Sequence, residues 1–386
     1  MALRRVERKP RGTGKPRPRA DGPGQIGDGD VRAGSGADLD GGRGRAMTRP
    51  LKVAVIGAGH MGRHHARVYA EQDDCELVAI VDRDRERAEA LAEKHGGRAY
   101  TRVADVPEPL DAVTVAVPTV YHLEVALPLV ERGVAVLVEK PMAPDAESAR
   151  QLVDASRRHH CLVQVGHSER FNPVVQAMLR MGVTPRFIET HRISPFTFRS
   201  ADIGVVFDMM IHDIDIVLHL VQDRSYTIDA VGVSVLGEWE DVCNARVRFS
   251  NGCVVNLTAS RLALKTERKI RVFAPTGYLS MDYQKKTGVA IKLADNLDWI
   301  RMARERNFED LSQMAGVDFG SMVKIEPLQV DDVEPLVAEI RSFLDAVRHG
   351  TDPAVSAEDG YAAVAMAERI TRAVREEGWD KELPPV

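Results

Sequence analysis

The chain has 386 residues, with 52 Lys+Arg against 57 Asp+Glu for a net charge of −5, four cysteines and only 3 Trp, 7 Tyr and 10 Phe. That length accommodates two domains, each with its own core, and four scattered cysteines (Cys75, Cys161, Cys243, Cys253) without a C-x-x-C pair exclude a disulfide scaffold. No uncharged apolar stretch reaches the roughly 18 residues of a membrane span, and the acidic balance argues against a nucleic-acid partner.

The charge is unevenly spread. Residues 1–46 hold 11 of the 30 glycines, no Phe, Trp or Tyr, and 11 Lys+Arg against 6 Asp+Glu, so residues 47–386 carry −10. A Gly/Pro/Arg-rich stretch without apolar periodicity buries too little surface to offset the entropy of ordering it. It reads as a disordered tail, or as an overextended start with the initiator at Met47; the alternative is a basic arm for an anionic surface. It lacks the apolar segment of a secretory signal, and its aspartates argue against a transit peptide. A cytoplasmic location is expected.

Order begins at Leu51. Lys52–Ile56 is a β-branched run ending in glycine, the pattern of a buried parallel strand. Gly57-Ala58-Gly59-His60-Met61-Gly62 then matches G-x-G-x-x-G and leads into a helix through Ala70. In such a loop the first glycine permits the turn, the second lets the backbone approach a pyrophosphate, and the third allows close helix–strand packing. Gly57, Gly59, His60, Met61 and Gly62 are thus the expected phosphate contacts, aided by the helix N-terminus. A second strand, Leu77–Val81, ends in Asp82, 20 residues beyond Gly62, where a carboxylate accepts from the adenosine ribose hydroxyls and repels a 2′-phosphate. NAD is favoured over NADP. Arg83 beside it offers a guanidinium for that phosphate or for adenine. The competing role for Asp82 is an N-cap of the helix Arg83–His95.

Strands at Ala112–Val117, Val134–Val138 and Leu162–Val165 alternate with helices at Tyr121–Arg132 and Asp145–His159, which predicts a doubly wound parallel sheet. Pro118-Thr119, Glu139-Lys140-Pro141 and Gly166-His167 fall at carboxyl ends of strands, where such sheets bind ligands. Lys140, at a strand end facing that crevice, is a candidate proton-transfer group, unless Glu139 simply pairs with it. Asp208 and His212 lie four apart and share a face if helical, an arrangement in which the aspartate fixes the imidazole tautomer. His219 reads as a core or surface histidine. No metal is expected, because His212, Asp213, Asp215 and His219 have no characteristic ligand spacing. His60, His64 and His65 fit ordinary helix-face positions.

Gly57-x-Gly59-x-x-Gly62, Glu139-Lys140-Pro141 and Asp208-x-x-x-His212, in this order and spacing, resemble the Gfo/Idh/MocA oxidoreductases over roughly residues 51–377. The resemblance implies a Rossmann domain (47–167), a substrate-binding and oligomerisation domain (168–333) on a large open, mostly antiparallel sheet, and C-terminal helices (334–386) returning to the Rossmann domain. It also implies Lys140 and His212 as proton-transfer residues, Asp208 as the partner orienting His212, and Pro118, Thr119 and His122 beside the nicotinamide or its ribose; Glu139 and Lys140 are further expected cofactor contacts. The segments Gly166–Pro173, His191–Phe196 and Asp208–Asp215 are similar to a narrower group, the UDP-N-acetylglucosamine 3-dehydrogenases. Gly204-Val205-Val206-Phe207 stands where many other relatives carry three glycines.

The expected reaction is therefore NAD-dependent oxidation of C3 of UDP-N-acetylglucosamine, feeding an aminotransferase in lipid A or surface-polysaccharide synthesis. Alternatives are another sugar, an inositol or a UDP-sugar uronate, or a dinucleotide sensor without turnover. Arg170, Asn172, Arg192 and Arg199 are the expected substrate contacts, joining Lys140, Asp208 and His212, since a diphosphate needs local positive charge; Phe196 and Phe198 are candidates to stack on a uracil. Strand-like runs at Arg186–Arg192, Ala230–Val235, Asn244–Phe249, Cys253–Ser260 and Lys269–Ala274, with the hairpin signal Asn251-Gly252, mark the antiparallel domain. Residues 295–316 suggest a helical insertion, and Pro335–His349 and Ser356–Glu377 read as helices, the second with a partial capping box. A homo-oligomer, dimer or tetramer, is expected.

Overall fold

The computed structural model describes residues 49–197, 203–236, 238–275, 277–293 and 323–376. The 1–46 tail, Phe198, Arg199 and the 295–316 insertion lie outside the described residues.

Six strands form the first sheet: β1 (Leu51–Ile56), β2 (Cys75–Val81), β3 (Arg98–Tyr100), β4 (Ala112–Val115), β5 (Ala135–Glu139) and β6 (Val163–Gly166). All pair in parallel, in the order β3-β2-β1-β4-β5-β6. Helices α1 (His60–Ala70), α2 (Arg85–His95), α3 (His122–Glu131) and α4 (Ala146–His159) make crossovers. The strands read as continuous apolar runs because helices cover both faces, and β4 and β5 are buried at every position. The order reverses between β1 and β4, so the crevice opens at the carboxyl ends of those strands. The cap of α2 is Asp84, whose Oδ1 accepts from the Arg87 amide at 3.3 Å; Asp82 is left for another task.

Beyond α5 (Pro173–Arg180) the pattern turns to period two. The second sheet has eight strands: β7 (Phe187–Ile193), β8 (Tyr226–Val233), β9 (Val242–Phe249), β10 (Val254–Ser260), β11 (Glu267–Ala274), β12 (Gly277–Asp282), β13 (Thr287–Leu293) and β14 (Val323–Pro327). Their order is β14-β13-β12-β11-β7-β10-β9-β8, antiparallel except for the β7–β10 pair. Burial alternates along β7, β9 and β10, as it must when one face meets a core. Gly252 takes a φ of +86° in the β9–β10 hairpin, at the Asn-Gly pair that signals it. The last three strands lie beyond the strand-like runs read from the sequence.

Two helices close the chain. α7 (Pro335–His349) buries Leu336, Ile340, Phe343 and Leu344 in the cluster that holds Val53, Ala66 and Tyr69 of the first sheet and α1. α8 (Ala357–Glu376) packs on α4 and β6 on one side and on β8 and α6 (Ile211–Val221) on the other. A reciprocal box starts it: the Asp359 amide donates to Ser356 Oγ at 3.1 Å and the Ser356 amide to Asp359 Oδ2 at 3.3 Å. The helix thereby ties the two sheets into one core.

Candidate active site

The glycine loop leaves β1 with Gly57 at φ +103°, where a Cβ would stand 2.5 Å from the Ala116 carbonyl oxygen, and a Cβ on Gly62 would run into the Gly57 carbonyl. A Cβ on Gly59 would meet nothing within 4 Å. Two glycines therefore serve packing, and Gly59 keeps one side of the backbone open. The first helical bond of α1 is Arg63 N–H to Gly59 O at 3.1 Å, so the amides of His60, Met61 and Gly62 have no partner within the helix. Asp82 Oδ2 accepts from the Ala58 amide at 2.7 Å, tying the end of β2 to the loop. These residues fit a dinucleotide pyrophosphate and ribose. Arg83 lies with its guanidinium 4.7 Å from the Tyr121 ring centre and 3.7 Å from Glu124, bridging the end of β2 and the start of α3.

Along the far wall, Pro118 and Thr119 open a short 3₁₀ turn after β4. His122 does not face the crevice. It is buried, with Nδ1 3.0 Å from the Pro141 carbonyl and Nε2 2.9 Å from the Val117 carbonyl, and so latches the two loops together. Glu139 is buried as well, its Oε1 2.7 Å from His65 Nε2. Burial would raise its pKa, but the His65 hydrogen bond and charge and the Lys140 charge hold it below the ordinary carboxylate range. His65 is the residue that sequence reasoning passed over. The i, i+3, i+4 spacing of His65, Val68 and Tyr69 puts it on the buried stripe of α1, and a buried imidazole requires a partner.

Lys140 follows β5 and reaches across to the second domain, where its Nζ donates to the backbone carbonyl of Asp208 at 2.8 Å. The Asp208 carboxylate lies 3.8 Å from the same nitrogen. The segment Val206–Met210 is a turn of π-helix leading into α6, so Asp208 and His212 are not one α-helical turn apart. The expectation that Asp208 orients His212 is corrected: the aspartate faces Lys140, and His212 Nδ1 is buried without a hydrogen-bond partner. Burial, then the charges of Lys140 and Arg192, push the His212 pKa well below the usual imidazole range. The ring is uncharged at neutral pH.

Arg170 and Arg192 are corrected as well. Arg170 is buried and grips Asp215 of α6, with Nε at 2.8 Å from Oδ2, and Nη1 also meets His219 Nδ1 at 2.7 Å. Arg192, buried on β7, holds Asp213 through Nε at 3.0 Å and Nη2 at 2.8 Å. Burial opposes the Arg192 charge, but the Asp213 and Glu169 carboxylates more than offset it, and its pKa is raised. The two arginines thus anchor α6 through Asp213 and Asp215, just after His212, and their guanidinium groups are buried rather than facing solvent for a diphosphate. Asn172 caps α5, its Oδ1 accepting from the Val174 amide at 3.1 Å. Two aspartates inside the apolar run Ile211–Val217 were the available signal, since buried acids need cationic partners.

Arg268, on β11, was not singled out by the sequence. Its side chain is half-exposed, 3.8 Å from Glu169, and its charge contributes to lowering the His212 pKa. Phe196 meets the Arg261 guanidinium 5.5 Å from its ring centre.

Comparison with known proteins agrees with this layout. Residues 51–167 match the model described as an oxidoreductase family with an NAD-binding Rossmann fold, and residues 178–280 match the GFO/IDH/MocA C-terminal domain. A UDP-N-acetylglucosamine 3-dehydrogenase of Acidithiobacillus ferrooxidans is 36% identical over 238 residues, 61% of this chain and 75% of that protein. Its crystal structure superposes with a TM-score of 0.75 at 31% identity, covering 84% of this chain and 98% of that one. An inositol 2-dehydrogenase of Rhizobium meliloti is 24% identical over 343 residues, 84% of this chain and 97% of that protein.

Proposed function

This chain belongs to the Gfo/Idh/MocA oxidoreductases, enzymes that oxidise a CH–OH group with a nicotinamide dinucleotide, and we propose that its substrate is UDP-N-acetylglucosamine, oxidised at C3 to the 3-keto sugar. The observation that carries the reading is the meeting of Lys140, from the end of β5, with the π-turn that leads to His212, at the carboxyl-end side of the sheet that also carries the glycine loop. A bound nicotinamide supplies the acceptor for the hydrogen that leaves carbon with its electron pair. Lys140, positioned by the Asp208 carbonyl, hydrogen-bonds the substrate oxygen. His212 is uncharged and so takes the hydroxyl proton. That is the reverse of giving the first proton to Lys140, whose Nζ is a donor to Asp208.

Gly57, Gly59, His60, Met61 and Gly62 hold the pyrophosphate in this reading, and Asp82 favours NAD over NADP by repelling a 2′-phosphate. Arg268 is our candidate for the anionic part of the substrate, because the guanidinium groups of Arg170 and Arg192 are taken by buried aspartates. The likeness to the Acidithiobacillus enzyme, stronger than that to the inositol dehydrogenase, supports the nucleotide-sugar. The product ketone is a substrate for transamination, and both steps would be cytoplasmic. The test is a substrate panel with purified protein and NAD, followed by reduced-cofactor absorbance. UDP-N-acetylglucosamine should give turnover and myo-inositol none; the opposite result rejects the substrate.

A further inference from the structure

Behind His212 lies a second imidazole that the crevice does not use. His167, directly after β6, is 0% exposed, and neither of its ring nitrogens has a hydrogen-bond partner. The two rings meet edge to face with centroids 6.5 Å apart. His212 Nδ1 is likewise buried and without a hydrogen-bond partner. The two rings are therefore not bonded to each other directly, and a link between them needs a bridging water.

No carboxylate of the neighbouring helix is available to Nδ1. Asp208 stands against Lys140, Asp213 is held by Arg192, and Asp215 by Arg170. The charges facing His167 are balanced between Asp215 of α6 and Glu139 of β5 on one side, and Arg170 of the turn after β6 and Lys140 on the other; burial keeps the ring neutral. A neutral imidazole accepts a hydrogen bond at one nitrogen.

We propose that His167 is the positioning residue of His212, holding it through a bridging water so that Nδ1 carries the hydrogen and Nε2 is left to take the substrate proton. The inference rests on His212 being the proton acceptor argued above. A neutral orienting partner distinguishes this site from one built on a carboxylate. A carboxylate would stabilise the imidazolium and raise its pKa, whereas a water-bridged imidazole leaves it low.

The test is nitrogen-15 histidine NMR on the full chain, with His212 assigned by its loss in His212→Gln. Wild type should show His212 as the Nδ1–H tautomer, and His167→Phe, which keeps a ring but removes both nitrogens, should mix the tautomers and shift the titration. In the same variant kcat should fall about tenfold with KM nearly unchanged, and NAD binding should persist. A wild-type His212 in the Nε2–H tautomer overturns the proposal by itself, even if His167→Phe does not fold. An unchanged tautomer and titration in a folded His167→Phe overturns it equally. Neither readout depends on which sugar is oxidised, so failure of the substrate panel is a separate result.

Discussion

Lys140 is held by the backbone of Asp208, at 2.8 Å from its carbonyl oxygen, more closely than by the Asp208 carboxylate at 3.8 Å. The two contacts separate under mutation. Lys140→Met removes the amine that hydrogen-bonds the substrate oxygen and should lower kcat by roughly 100-fold or more, the usual loss for a donor aimed at charge that develops in the transition state. NAD affinity should change little, because the glycine loop does not depend on Lys140. Asp208→Asn keeps the carbonyl that positions Lys140 and loses only the charge, so its kcat should fall much less, by about tenfold. Initial rates of reduced-cofactor formation with NAD titrations on both variants check this. Equal losses would mean that the carboxylate, not the backbone, sets the lysine.

The acid limb of the pH–rate profile should belong to His212. Its charged form is opposed first by burial and then by Lys140, Arg192, His167 and Arg268. Its pKa is therefore lowered, the active neutral ring persists as pH falls past about 6.5, and activity is lost only below that ordinary value. Arg268→Gln removes one of the opposing charges and should move the limb upward. The same variant should raise KM for the UDP-sugar while leaving KM for NAD unchanged. A limb that stays in place, with KM for the sugar unaltered, would remove Arg268 from the site.

Asp82 has two structural duties that a substitution can separate. Its Oδ2 accepts from the Ala58 amide and its Oδ1 from the Asp84 amide, at 2.7 and 2.9 Å. Asp82→Asn can keep one of those bonds while cancelling the charge that repels a 2′-phosphate. It should therefore narrow the preference for NAD over NADP by about tenfold, or ~1.4 kcal/mol, mostly through better use of NADP. Asp82→Ala should also weaken NAD, since the loop loses its anchor. The ratio of kcat/KM for the two cofactors gives the answer, and an unchanged ratio in Asp82→Asn would take charge out of the discrimination.

The first sheet was legible because local signals and tertiary demands coincide there. Buried parallel strands must be apolar throughout, and the glycine loop has steric reasons for each glycine. Lys140 and His212 could be singled out as candidates for the same reason, since each sits beside a readable element. The relations between side chains were not legible. Which carboxylate meets Lys140, and which arginine meets Asp213, depends on a π-turn and on strand pairings between β7, β10 and β11 that no local pattern encodes. Sequence reasoning therefore gave Arg170 and Arg192 to a substrate phosphate when their charge was committed inside the protein. The buried pair His65–Glu139 escaped because a histidine three residues past a glycine motif looks like a helix surface until Tyr69 and Val68 are placed on the same stripe.

Glu339 of α7 gives a stability prediction whose sign can be worked out. It is 0% exposed, and neither carboxyl oxygen has a hydrogen-bond partner. Gln164 reaches only its backbone, with Nε2 3.3 Å from the carbonyl. Burial, reinforced by the charges of Glu139 and Asp215, pushes its pKa well above the carboxylate range. In the unfolded chain the same group titrates near about 4.3. Between those two values the folded protein holds a proton that the unfolded chain releases. Stability thus falls as pH rises, at up to about 1.4 kcal/mol per pH unit from this group. Glu339→Gln is nearly isosteric and has no proton to lose, so it removes that slope. The variant should be more stable than wild type at pH 8, and the difference should shrink toward pH 5. Acids with lowered values, such as Asp215 and Glu139, act in the opposite sense but are common to both proteins. Urea denaturation at the two pH values measures the difference directly. A variant that is less stable at pH 8 would mean that the Glu339 carboxylate is ionised and paired inside the fold.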